Sequence, residues 1–120
     1  MSYSIQLYRV ETKEKEQQYS GDDFWDYEDN FVPFTKEQKE ELYERLEDYD
    51  YEFQRNSEYG AEFLHEEYGE ALLCDKALYF TTSIFDEDII FEVGLIASEF
   101  TDTDEFAKYD PQQEGWEEIE

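Results

Sequence analysis

Thr35-Lys36-Glu37-Gln38-Lys39-Glu40-Glu41-Leu42-Tyr43-Glu44-Arg45-Leu46-Glu47-Asp48-Tyr49 is the stretch on which the reading of this chain turns. Thr35 and Gln38 stand at the spacing of a capping box, in which each side chain satisfies an amide orphaned at a helix start. Leu42, Leu46 and Tyr49 recur at steps of four and three, so one narrow stripe is apolar and the rest is wet. The spacing predicts a main helix over about 35–49, beginning just after Pro33 and with Lys36–Tyr49 as its body. Its other faces carry Glu37, Glu40, Glu41, Glu44, Glu47 and Asp48.

Outward from this helix the pattern changes period. Tyr3, Ile5 and Leu7 alternate with Ser4 and Gln6, as in a half-buried strand. Tyr51, Phe53 and Arg55 alternate with Glu52 and Gln54, and Ala71–Cys74 and Ala77–Thr82 flank Asp75-Lys76, a hairpin turn lacking the usual glycine. Ile84 to Ile96, rich in β-branched and aromatic residues, reads as further strand broken by a turn at Asp86-Glu87-Asp88. Glu11–Gln18 suits a loop or short exposed helix, and Phe63–Tyr68 is ambiguous. Gly21–Phe34 reads as an irregular segment pinned by its rings. Thr103 can cap a short helix near 103–108, ending at Lys108. Asp110–Glu120, polar apart from Trp116 and Ile119, reads as a loosely ordered tail. The expectation is an α+β fold, an antiparallel sheet with the main amphipathic helix packed on one face. No Gly/Ser/Pro-rich linker or repeat divides the chain, so residues 1–120 form one acidic domain.

Charge decides which functions are open. The chain holds 35 acidic and 9 basic residues, a net −26, and residues 56–120 contain only two bases, Lys76 and Lys108. A nucleic-acid binder needs Lys and Arg against phosphate, and docking on anionic lipid needs the same, so both classes are excluded as partners of the whole surface. Such acidity also marks disordered chains, but 19% of the residues are aromatic, enough apolar area for a folded domain inside a charged shell. Cys74 is the single cysteine, so no intrachain disulfide or cysteine-based zinc site can form. The opening residues lack the basic and apolar regions of a secretory signal, and no apolar run approaches the ~20 residues of a membrane span; the expected location is cytoplasmic.

Most catalytic templates fail on inventory. There is no Gly-rich phosphate loop and no nucleophile elbow, and His65, the only histidine, reads as a solvated or salt-bridged residue beside Glu66 and Glu67. Cys74, next to Leu72 and Leu73, reads as a small core residue in surroundings too acidic for a thiolate. Asp48-x-Asp50-x-Glu52 and Asp102-x-Asp104 echo the start of a calcium loop without its glycine and closing glutamate. No enzyme, metal or cofactor is expected; an enzyme using a carboxylate pair would need a concave pocket with one strongly raised carboxyl.

The surface remains. Glu37, Glu41, Glu44 and Asp48 follow each other at helical steps and Glu40, Glu44 and Glu47 form a neighbouring row, anions about 5–6 Å apart along the axis. DNA carries phosphates every ~3.4 Å along each strand, so two such rows can stand in for a phosphate track. Asp22, Asp23, Asp26, Glu28 and Asp29 are expected beside the helix as part of the same surface. Solubility needs a net charge of only about 2–8 in a small domain, and self-repulsion beyond that destabilises the fold, so the excess points to a basic partner. Trp25, Tyr27, Tyr43, Tyr51 and Tyr59 lie among acids, where a ring can stack on a partner's Arg or Lys or simply pack in the core.

Met1-Ser2-Tyr3-Ser4-Ile5-Gln6-Leu7-Tyr8-Arg9 and Val32-Pro33-Phe34-Thr35-Lys36-Glu37-Gln38, with the length and acidity of the chain, resemble the small neisserial DNA-mimic proteins that bind the histone-like protein HU. The resemblance implies a monomer whose carboxylates take the positions of phosphates and compete for the DNA-binding face of a basic nucleoid protein of the HU type. The rival expectation is an immunity protein that neutralises a basic, nuclease-like toxin.

Overall fold

The alternation at the start of the chain does form a strand, Tyr3–Arg9 (β1), and it lies inside the sheet. The computed structural model describes residues 3–21, 23–82, 87–103, 105–110 and 115–116. After β1 come helix Val10–Gln18 (α1), two single 3-10 turns at Phe24–Asp26 and Glu28–Asn30, helix Lys36–Asp48 (α2), and strands Glu52–Asn56 (β2), Ala61–His65 (β3), Gly69–Leu73 (β4) and Leu78–Thr82 (β5). Helix Glu87–Glu99 (α3) and strands Phe106–Asp110 (β6) and Gly115–Trp116 (β7) complete the described elements. The strands form one sheet in the order β2-β3-β4-β5-β1-β6-β7, every neighbouring pair antiparallel. The fold is α+β, with α2 over one face as its spacing predicts.

Strand alternation sorts the side chains into two faces. On the inner face Ile5 lies opposite Phe80, Phe80 opposite Ala71, Ala71 opposite Phe63 and Phe63 opposite Phe53, an apolar row crossing five strands. Leu42 and Leu46 of α2 and Val93, Ile96 and Ala97 of α3 close over this face with Phe100. On the outer face, Tyr8 gathers Trp25, Phe31 and Trp116 at ring-centroid distances of 5.3, 5.8 and 5.8 Å. The rings of the irregular segment thus cap the β1–β6–β7 half from outside. Tyr51 packs as a core ring and is fully buried, whereas Trp25 is half-buried within the outer-face cluster.

Two expectations are corrected. Ile84 to Ile96 does not continue as strand: from Glu87 to Glu99 it is α3, and Glu87 and Asp88 occupy its first turn, where acids favour the positive end of the helix dipole. Residues 83–86, including Asp86, lie outside the described residues. Nor does a helix form near 103–108. Thr101–Thr103 is a turn in which the Thr101 hydroxyl donates to the Ser98 carbonyl (2.6 Å), and Phe106–Asp110 is β6, held between β1 and β7. A strand wins there because Phe106, Ala107, Lys108 and Asp110 are all buried and need a ladder on both sides.

The polar stretch 11–18 forms α1, which buries Thr12 and through its hydroxyl accepts from the Val32 amide (2.8 Å). The hairpin at Asp75-Lys76 closes with Cys74 N–H donating to the Ala77 carbonyl (2.8 Å). Within the stretch read as a tail, Asp110 is buried, and Trp116 pairs with Tyr109 and donates through Nε1 to Glu16 (2.9 Å). The remainder of that stretch, 111–114 and 117–120, lies outside the described residues. Gly69 opens β4 at φ 103°, where a Cβ would sit 2.5 Å from the Thr81 carbonyl oxygen, so only glycine lets β4 and β5 approach here.

Candidate functional site

The N-terminus of α2 is built as its sequence spacing requires. The Thr35 hydroxyl accepts from Gln38 N–H (3.1 Å) and Gln38 Oε1 accepts from Thr35 N–H (2.9 Å). Gln38, Leu42 and Leu46 are buried, which fixes the rotation of the helix on the sheet. The C-terminus is a Schellman turn: Tyr51 N–H donates to the Leu46 carbonyl (3.0 Å) and Asp50 N–H to that of Glu47 (3.0 Å). Asp50 adopts the left-handed conformation there, φ 69°.

With that rotation, Glu37, Glu40, Glu44, Glu47 and Asp48 are all exposed. At 3.6 residues per turn they share an arc of about 100°, opposite the buried stripe. Neighbours at three- and four-residue steps have Cβ atoms about 5–6 Å apart, so the five form a continuous ridge along the helix.

Glu41 stands apart from this ridge. It is half-buried, 3.7 Å from Arg45, and its carboxyl is pushed above the usual range by burial and by the neighbouring Glu105 carboxyl, against the pull of Arg45. Arg45 serves several groups at once. It pairs with Asp102 at 2.7 Å, donates to the Glu99 carbonyl at the end of α3 (3.0 Å), and lies over the Phe100 ring. The Tyr49 hydroxyl donates to Glu99, and its pKa is pushed up to about 12 by burial and by that bond. Glu41 therefore belongs to a cluster that ties α2 to α3.

The second acidic group does not lie beside α2. Phe24, Trp25 and Phe31, which flank Asp26 and Asp29, pack on the outer face of the sheet, and α2 lies on the inner one. Asp26 and Asp29 are exposed, and Asp23 accepts from the Tyr19 hydroxyl (2.7 Å), which raises Tyr19 to about 12. Asp22 and the side chain of Glu28 lie outside the described residues. The sheet thus separates two anionic regions, a result that strand alternation alone cannot forecast.

Basic side chains are largely occupied within the protein. Arg9 pairs with Glu11 (2.6 Å), Lys39 with Asp75 (2.7 Å) and Arg55 with Glu62 (3.1 Å). The Lys39 ammonium holds Asp75 below the usual carboxylate range. Lys108 is buried on β6 and donates to the Gly94 carbonyl and the Ser98 hydroxyl of α3, both at 3.1 Å.

The remaining chemical candidates have structural employment. His65 stacks on Tyr68 at 4.1 Å between ring centroids, and its Nδ1 accepts from the amides of Glu67 and Tyr68 (2.9 and 3.1 Å), so it caps the β3–β4 turn. Cys74 is half-buried, and its thiol is pushed up by burial and by Asp75. Asp50 shapes a helix terminus, while Asp104 lies outside the described residues. Among the described residues no three His, Cys, Asp or Glu side chains converge as metal ligands, and no helix is long and apolar enough to cross a membrane. Tyr27 and Tyr59 are exposed, whereas Tyr43 packs on Phe53 and Phe63.

In comparisons with known proteins, no family model, curated protein or solved structure matches the chain.

Proposed function

We propose that this protein is a DNA mimic, acting by binding and not by catalysis: its carboxylates occupy the DNA-binding face of a basic nucleoid protein of the HU type and so regulate that protein's hold on DNA. The observation that carries this reading is the ridge of Glu37, Glu40, Glu44, Glu47 and Asp48 on a chain of net charge −26. Like charges at these spacings cost a helix a few tenths of a kcal/mol per pair, so the ridge opposes the stability of α2. A partner's Lys and Arg residues would relieve that repulsion. Arg9, Lys39, Arg45 and Arg55 are paired with other carboxylates and leave the ridge facing solvent.

The test is a three-way competition. Purified HU is expected to bind the protein, to release it as duplex DNA is added, and to bind it more weakly as salt rises, because exposed charges are screened beyond ~10 Å at 0.1 M. The triple variant Glu40→Gln, Glu44→Gln, Glu47→Gln keeps its fold and loses roughly 1–2 kcal/mol of binding, at a few tenths to 1 kcal/mol per exposed pair. Binding that ignores excess DNA would overturn the shared-surface reading, and tight binding to a single cognate nuclease alone would replace it with the immunity-protein reading.

A further inference from the structure

Among the described residues, the outer face of the sheet is covered on only one half. Over β1, β6 and β7 it is capped by the aromatic cluster around Tyr8 and Trp25. Over β2 to β5 no described residue covers it. Register places Leu64 opposite Glu70, Glu62 opposite Leu72, and Leu72 opposite Tyr79, all on this face. These side chains, with Tyr59, line an open hollow of about 580 Å³. Leu64 is 45% and Tyr59 70% exposed, although large apolar side chains favour burial.

Apolar and anionic side chains alternate over this surface. Glu62 and Glu70 flank Leu64 and Leu72, and Glu52 faces Leu64 from β2. Arg55, 74% exposed, reaches from β2 to Glu62 on β3 (3.1 Å), so a guanidinium already sits beside these carboxylates. A second copy of the chain would bring another net −26 against these carboxylates, which disfavours self-association.

We infer that this hollow seats a cationic segment of the partner, one that places an apolar or aromatic side chain between its Lys or Arg residues. The inference rests on the proposed binding to a basic DNA-binding protein, and it adds a contact that DNA itself does not make. The α2 ridge supplies salt-sensitive attraction that any polycation shares. The sheet hollow adds burial of Leu64, Leu72 and the partner's side chain, which salt does not screen and which selects among basic proteins.

The experiment uses the full chain with purified HU and, as a control, oligolysine, which has charge and no apolar side chain. Backbone amide shifts are mapped on the wild-type protein, so the result does not depend on any variant folding. HU is expected to shift Leu64, Leu72 and Tyr79, and oligolysine to leave them in place. The variant Leu64→Ser with Tyr59→Ser, both at exposed positions, is expected to bind HU roughly tenfold more weakly with an unchanged salt slope. Wild-type affinity in that variant, alongside weakened binding by the α2 triple variant, would overturn the hollow and leave the mimicry standing. Failure of the wild-type protein to bind HU would remove both. A dimer that the double variant dissociates would assign the face to a second copy and overturn the inference.

Discussion

Helices α2 and α3 are each thirteen residues long and cover the same face of the sheet, yet they are built from opposite materials. α2 exposes carboxylates; α3 exposes Phe91 and Leu95, 64% and 44% accessible, beside the exposed Asp88 and Glu92. The contrast shows that burial and polarity are separable in this protein. α2 is held by two leucines, a glutamine and well-made ends, which frees its whole outer side for charge. α3 is apolar around most of its circumference and is seated by Val93, Ile96 and Ala97, with Lys108 fastening it from below.

The largest expected effect sets the inner side of one helix against the outer side of the other. Leu46→Ala removes a fully buried side chain of α2 and is expected to cost about 3 kcal/mol in urea unfolding, within the usual 2–5. Leu95→Ala on α3 should stay within about 0.5 kcal/mol, as surface substitutions do. Equal losses would break the comparison, because they would mean that the outer side of α3 is as tightly packed as the inner side of α2.

A smaller effect sharpens it at the end of α2. Asp50 pays for its left-handed conformation and places an anion at the negative pole of the helix. Asp50→Gly should raise stability by about 0.5–1 kcal/mol, read as an upward shift of the urea midpoint with unchanged slope. No equivalent gain is expected at the end of α3, where Arg45 already supplies a cation to the Glu99 carbonyl.

The smallest effect concerns the cluster joining the two helices. Because the folded state raises the Glu41 carboxyl, it binds that proton more tightly than the unfolded chain does. Stability from this group is therefore full below the ordinary glutamate pKa of about 4.3 and falls as pH rises through the elevated folded value. Glu41→Gln should melt higher than wild type at neutral pH and show no gain at about pH 3.5, where both chains are neutral at this position. A gain that persisted in acid would show that packing, and not charge, sets the difference.

Legibility followed the same divide. α2 could be read because its capping box, narrow apolar stripe and acidic remainder agree with one another. In α3 the helical spacing is present, with Ile89, Ile90, Val93, Ile96, Ala97 and Phe100 at steps of three and four. The β-branched residues suit a strand equally well, and the acids before them resemble a turn as much as a helix start. β6 was illegible for another reason: a strand covered on both faces need not alternate, and its buried Lys108 and Asp110 look like surface residues until their neighbours are known. Of the acidic surface, the α2 ridge followed from periodicity. The displacement of Glu41 and the far-side placement of Asp23, Asp26 and Asp29 depend on packing between distant segments. The sheet hollow was hidden because its lining is gathered from four strands and the β2–β3 loop, each contributing only a few residues.

The position of β1 has a consequence for how the chain is made. Its hydrogen-bonding neighbours are β5 and β6, residues 78–82 and 106–110, so β1 leaves the ribosome long before either of its sheet partners has been synthesised. Tyr3–Arg9 must wait with both edges open, and closure around it is a late, non-local event that slows folding. During that interval mutual repulsion among the acids of the nascent chain keeps copies apart, so the charge that shapes the finished surface also guards its assembly.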